Sequence, residues 1–217
     1  MIIAIDGPSG AGKSTVAKLL ATKMGIVYLD TGAMYRAMGL KALNSGVSPT
    51  DAVEVEKLLA VTEIDVKNID GTQHVYLDGE DVSTLIREHR VSKAASDISA
   101  IPCVRFAMVE LQRKLASKKD TVLDGRDIGT YVLPNADHKF FLTASADERA
   151  NRRYKELIAK GEECTFEKIK QDIITRDYND SHRALAPLKK ADDAIEIDTT
   201  EMTVDDVINK MISVLGD

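Results

Sequence analysis

The chain has 217 residues, 44% of them hydrophobic, and a formal net charge of −6, which suits one large domain, or one domain with an insertion, built on a sizeable core. The acidic balance argues against nucleic-acid binding through the overall field, and no window approaches the roughly 18 consecutive apolar residues of a membrane span. Met1 leads directly into Ile2-Ile3-Ala4-Ile5 without the basic start or cleavage site of a secretory leader, so a cytoplasmic protein is expected. Cys103 and Cys164 follow no C-x-x-C spacing and read as free thiols. His74, His89, His138 and His182 are scattered without ligand spacing, which argues against zinc.

Residues 2–5 read as a buried parallel strand. Residues 13–24 place Val16, Leu19, Leu20 and Met24 at helical spacing, and residues 27–29 form a second short strand ending at Asp30. Residues 32–44 look helical and stop near Gly46 and Pro49; a further helical run covers about 50–61. Residues 64–66 and 74–77 alternate or run β-branched around a Gly71 turn and precede Asp78-Gly79, the signature of an antiparallel hairpin insert at about 63–83. Helical patterning returns over about 84–99, and Pro102 opens another helix to about 117. Residues 121–123 and 139–142 are strands, 147–160 and 165–180 charged helices joined through Gly161, 194–197 the last strand and 204–215 the last helix. The alternation predicts an α/β fold, a parallel β-sheet flanked by helices.

Gly7-Pro8-Ser9-Gly10-Ala11-Gly12-Lys13-Ser14 matches G-x-x-x-x-G-K-[ST] at every fixed position, with Thr15 next, a strand before and a helix after. Glycines let backbone N–H groups turn inward around a polyphosphate, and the helix beginning near Lys13 adds its positive end. The Lys13 ammonium can reach the β- and γ-phosphates of ATP, and the Ser14 hydroxyl can ligate Mg²⁺. The loop alone fits a kinase, a GTPase switch or a motor ATPase. A switch needs N-K-x-D, but the only Asn-Lys pair, Asn209-Lys210, is followed by Met211-Ile212, and no D-x-x-G occurs. A motor ATPase needs more chain, so a small-molecule kinase fits best.

Such a kinase needs arginines that converge on two mutually repelling anions. Arg149, Arg152 and Arg153 stand at i, i+3 and i+4 on one helical face, a surplus of positive charge that an anion would relieve. For Arg149 alone a solvated ion pair is at least as good a reading. Arg176, Asp180 and Arg183 share a second face if the helix reaches Arg183, with Pro187 beyond it. Asp124-Gly125-Arg126-Asp127 follows a strand at its carboxyl end, where doubly wound sheets bind ligands; Asp124 has the position of a carboxylate that holds Mg²⁺ through water.

Together with the phosphate loop, the runs Leu29-Asp30-Thr31-Gly32-Ala33-Met34-Tyr35-Arg36, Asp124-Gly125-Arg126-Asp127-Ile128-Gly129-Thr130, Phe141-Leu142-Thr143-Ala144-Ser145 and Arg183-Ala184-Leu185-Ala186-Pro187-Leu188 resemble the bacterial cytidylate kinases in the family's order over nearly the whole chain. The hairpin insert matches a feature of the same branch. The resemblance implies a single P-loop kinase unit with an acceptor-binding region at about 30–115 and a helical lid at about 149–165. It implies γ-phosphoryl transfer from ATP to CMP or dCMP with Mg²⁺, UMP being the nearest alternative. Nothing in the sequence suggests an obligate partner, so a monomer acting on small molecules, without nucleic acid or membrane, is expected. ATP would lie on Gly7, Pro8, Ser9, Gly10, Ala11, Gly12, Lys13, Ser14 and Thr15. By the same resemblance Thr31, Arg36, Arg126 and Arg183 would hold the CMP phosphate with Tyr35 beside it. Ser96, Arg105 and Asp127 would read cytosine, and Arg176 and Asp180 would hold the sugar. Arg152 and Arg153 would close over ATP, with Lys13, Arg126 and Arg176 also at the transferring group.

Overall fold

The computed structural model describes residues 1–216. In chain order the elements are β1 (Ile2–Asp6), α1 (Lys13–Met24), β2 (Val27–Asp30), α2 (Thr31–Asn44), α3 (Ala52–Leu59), β3 (Ile64–Ile69), β4 (Thr72–Leu77), β5 (Glu80–Asp81), a 3₁₀ turn (Leu85–Arg87), α4 (His89–Ile98), α5 (Pro102–Ala116), β6 (Thr121–Gly125), a π-type turn (Ile128–Val132), β7 (His138–Thr143), α6 (Ala146–Ala159), α7 (Phe166–His182), β8 (Ile195–Asp198) and α8 (Val204–Leu215). They fall into two compact units, residues 1–25 with 122–217, and residues 26–121.

In the first unit, the order β6-β1-β7-β8 puts the apolar opening strand inside a sheet. Ile3, Ala4 and Ile5 are fully buried, as expected of a strand covered on both faces. β1 pairs in parallel with β7, Ile5 opposite Phe140, and β7 with β8, Leu142 opposite Ile197. α1 buries Val16, Ala17, Leu20 and Ala21, and α6 and α7 share a small core of Ala150, Leu157, Ile169 and Ile173.

In the second unit, β3, β4 and β5 form an antiparallel sheet with Ile64 opposite Leu77 and Val66 opposite Val75. Its apolar face packs with α2 around Ala33, Ala37, Leu40, Val75, Leu77, Val82, Ile86 and Val91. Gly39 lets α2 lie against α4, since a Cβ there would stand 2.9 Å from the Ala95 nitrogen.

Three local features depart from the sequence expectations. The hairpin gains a third strand, β5, whose two residues are too few to carry an alternating pattern. The helix expected over about 84–99 is split: Leu85–Arg87 is a 3₁₀ turn, and Glu88 is extended (φ −62°, ψ 145°) and stands as the N-cap position of α4. The split lets Ile86 enter the core completely. Finally, α7 ends at His182, and Arg183 is extended (ψ 143°), so Arg176, Asp180 and Arg183 are not one continuous helical face.

Candidate active site

The phosphate loop of residues 7–15 joins β1 to α1 in the first unit. Gly7 runs so close to β7 that a Cβ would lie 1.9 Å from the Leu142 carbonyl oxygen, and its φ of +146° also favours glycine. Gly12 is left-handed (φ 86°) at the N-cap of α1, with no side-chain cap on the first turn. The helix thus meets the loop with amide donors and no acidic residue in that turn.

Lys13 is 5% exposed, and its Nζ donates to the Pro8 carbonyl oxygen at 2.7 Å. Burial first, then the neighbouring Arg126 charge, pushes its ammonium down to about 7. Ser14 donates its hydroxyl hydrogen to Asp124 Oδ2 at 2.8 Å, joining the loop to the end of β6. Asp6, at the end of β1, accepts from the Ile128 and Gly129 amides at 2.8 and 2.7 Å. These bonds fix the turn that follows Asp124-Gly125-Arg126-Asp127. Burial, opposed by the two amides, pushes the Asp6 carboxyl up to about 6.

The basic residues beyond the loop are individually braced. Arg126 donates from Nε to Asp180 Oδ2 at 2.9 Å. Burial opposes the Arg126 charge, but Asp180 and Asp124 outweigh it and hold the guanidinium above its ordinary range. Burial likewise raises Asp180, and Arg126 and Arg176 more than offset it, so its carboxyl stays below the usual range. Arg183 donates to Asp127 Oδ1 at 3.0 Å and to the Ala186 carbonyl oxygen at 2.6 Å.

The three arginines of α6 behave differently from a shared cationic face. Arg149 is 6% exposed and pairs with Asp177 at 2.6 Å; it also donates to the Ser9 carbonyl oxygen at 3.1 Å and the Ala144 carbonyl oxygen at 2.9 Å. It clamps the phosphate loop to α7. Arg152 pairs with Glu148 at 2.9 Å and donates to the Thr199 carbonyl oxygen at 2.6 Å. Arg153 pairs with Glu156 at 2.8 Å. Each guanidinium has its own carboxylate, so mutual repulsion is not what would draw an anion to this face.

Within the second unit, Thr31, Tyr35 and Arg36 lie on the first turns of α2, whose N-cap Asp30 accepts from the Ala33 amide at 3.0 Å. Arg36 Nη2 donates to Asp30 Oδ2 at 2.7 Å. Arg105 is 1% exposed, donates to the Ser99 carbonyl oxygen at 3.4 Å and has its guanidinium carbon 5.9 Å from the centre of the Tyr35 ring. Ser96 is half-buried on α4. Thr31, Tyr35, Arg36, Ser96 and Arg105 therefore belong to one unit, whereas Arg126, Asp127, Arg176, Asp180 and Arg183 belong to the other. Sequence reasoning gave no structural part to Asp6, Asp30, Gln73 or Arg87, and the ion pair it weighed for Arg149 is buried rather than solvated. The Leu-Asp-Thr-Gly run, with an aspartate directly before a helix, was the readable N-cap signal for Asp30.

The sequence profile described as cytidylate kinase matches residues 3–216. The chain belongs to the cytidylate kinase family. The cytidylate kinase of Caldicellulosiruptor bescii is 51% identical over 97% of this chain and 93% of its own length. That of Clostridioides difficile is 50% identical over 98% and 97%. Outside the family, a gluconokinase from Sinorhizobium meliloti superposes with a TM-score of 0.52 at 13% identity, covering 99% of this chain and 90% of that one. A sugar kinase from Janibacter sp. HTCC2649 gives a TM-score of 0.51 at 12% identity, covering 99% and 94%. At that identity the likeness is one of fold, and it agrees with a P-loop kinase architecture.

Proposed function

We propose that this protein transfers the γ-phosphoryl group of ATP to CMP or dCMP, giving ADP and CDP or dCDP. The observation that supports the reading most is the braced loop of residues 7–15, with a buried lysine and a Ser14–Asp124 pair, in a chain of this family. The loop amides and Lys13 bind the β- and γ-phosphates, exchanging the Pro8 carbonyl for phosphate oxygen. The Ser14 hydroxyl and Asp124 carboxylate, 2.8 Å apart, are oxygen groups suited to Mg²⁺; Ser14 would ligate the ion and Asp124 would hold it through water. When bound, that ion neutralises charge on the transferring group.

In the second unit, Thr31 and Arg36 bind the acceptor's phosphate beside Tyr35, and Ser96 and Arg105 read the base. In the first unit, Arg126 and Arg183 bind phosphate, Asp127 reads the cytosine amino group, and Arg176 and Asp180 hold the sugar. Transfer needs no covalent intermediate and no strong base, because orientation and charge stabilisation supply the catalysis. Residues 149–165 act as a lid through Arg152 and Arg153 and exclude water from the transfer.

The test is ADP release with Mg·ATP and CMP, dCMP, UMP, AMP, GMP and shikimate as acceptors. Turnover confined to CMP and dCMP is the expected result; a preference for any other acceptor overturns the reading.

A further inference from the structure

Asp30 is bound from every side within the second unit. It is 4% exposed. Its amide donates to Gln73 Oε1 at 2.7 Å, and its carbonyl oxygen accepts from Gln73 Nε2 at 3.2 Å, so the carboxamide of β4 takes the place of a neighbouring strand at the end of β2. Its Oδ1 caps α2, and its Oδ2 meets two guanidiniums, Arg36 at 2.7 Å and Arg87 at 2.9 Å. Burial pushes the Asp30 carboxyl up, but the Arg36 and Arg87 charges outweigh it and hold it below the ordinary range.

One carboxylate facing two guanidiniums leaves a surplus positive charge. The buried Nε of Arg36 has no hydrogen-bond partner among the described residues, a donor that burial makes costly to leave unused. Arg36 can lie back over the first turn of α2 because residue 32 is glycine; a Cβ there would stand 3.3 Å from Arg36 Nη1. Arg87 is half-exposed, yet it sits on a turn anchored by the fully buried Ile86 beside it. The turn therefore presents this arginine at a fixed place, with its head both paired and open to solvent. Two arginines on one fixed carboxylate form a planar, multi-donor receptor for a phosphomonoester dianion.

We propose that Arg87 is the second unit's other arginine for the acceptor's phosphate, beside Arg36, that Asp30 holds it in register with Arg36, and that Gln73 is a positioning residue linking the β3–β5 insert to this receptor. The proposal rests on the acceptor reading above and extends it to three residues outside the family runs or unassigned within them.

The test compares CMP as substrate with cytidine, which lacks the phosphate, as competitive inhibitor. Arg87→Ala should raise the KM for CMP about tenfold or more, the scale of one charged hydrogen bond, with kcat within a few-fold. The cytidine inhibition constant and the KM for ATP should not change, and Arg87→Lys should recover part of the loss. Gln73→Leu should raise the KM for CMP by a smaller factor, again without moving cytidine. A variant that weakens cytidine and CMP alike has lost shape rather than a phosphate contact, and an Arg87→Ala enzyme with unchanged KM for CMP has lost nothing; either outcome overturns the proposal. If the parent enzyme does not phosphorylate CMP at all, it is the acceptor reading that fails, and the two failures are distinct.

Discussion

Lys13 shows how one side chain is prepared before its ligand arrives. Its ammonium is buried on the Pro8 carbonyl oxygen, and burial and Arg126 hold its pKa near 7. Phosphate oxygens favour the charged form, so ATP binding at pH 8 should take up about one proton. Calorimetry in buffers of different ionisation enthalpy measures that uptake, and Lys13→Ala should abolish it; equal heats in all buffers would contradict the pKa. The same variant should lower kcat at least about a hundredfold, the scale of one lost preorganised donor. The residues of this loop were legible because a strong motif states its own chemistry. Arg149 was not: one arginine in a helical series looks alike whether it meets water or the Ser9 carbonyl oxygen, and only the fold brings Asp177 to it.

At the scale of elements, the loop depends on how closely β1 runs beside β7. Gly7→Ala would drive a methyl group into the Leu142 carbonyl oxygen, a contact of 1.9 Å that the backbone must move to relieve. It should destabilise the protein by about 3 kcal/mol, seen as a lower denaturant midpoint; an unchanged midpoint would mean that the loop is set elsewhere. On α6, Arg153 pairs with nearby Glu156 on a part-exposed face, and such a pair contributes little to stability. Arg153→Ala should therefore leave melting nearly unchanged while lowering kcat more than it raises the KM for CMP, if it acts in a closed lid. No effect on either constant would reduce it to a surface ion pair. Strand and helix identities were readable from period and from glycine and proline boundaries. The break at Glu88 was not, because residues 84–99 keep helical spacing and the split is imposed by where Ile86 must be buried.

Over the molecule as a whole, pH acts through a few buried groups. Asp6 has a carboxyl raised from 3.8 to about 6 by burial. Its folded form holds the proton more tightly than the unfolded chain does. The stability it contributes is complete below pH 3.8 and is lost as pH rises through 6, on the order of 3 kcal/mol in all. Relative to the parent, Asp6→Asn should therefore gain unfolding free energy between pH 4 and 7 in chemical denaturation; a difference independent of pH would contradict this. The parallel sheet and the hairpin insert were visible in the sequence. The exact bounds of the compact unit at residues 26–121 were not, since they depend on contacts between distant segments.

Base choice separates CMP from UMP as the acceptor. Cytosine offers an amino donor and ring acceptors, which suit a carboxylate at Asp127 and a guanidinium at Arg105. Uracil reverses both, and each buried mismatch costs roughly 1–3 kcal/mol. The deciding measurement is kcat/KM for CMP against UMP with Mg·ATP, in the parent and in Asp127→Ala. The parent should favour CMP by at least about a hundredfold, as two mismatches give, and Asp127→Ala should narrow the ratio mainly by impairing CMP. A parent enzyme that uses both bases equally, or an Asp127→Ala variant with the parent's preference, would contradict it.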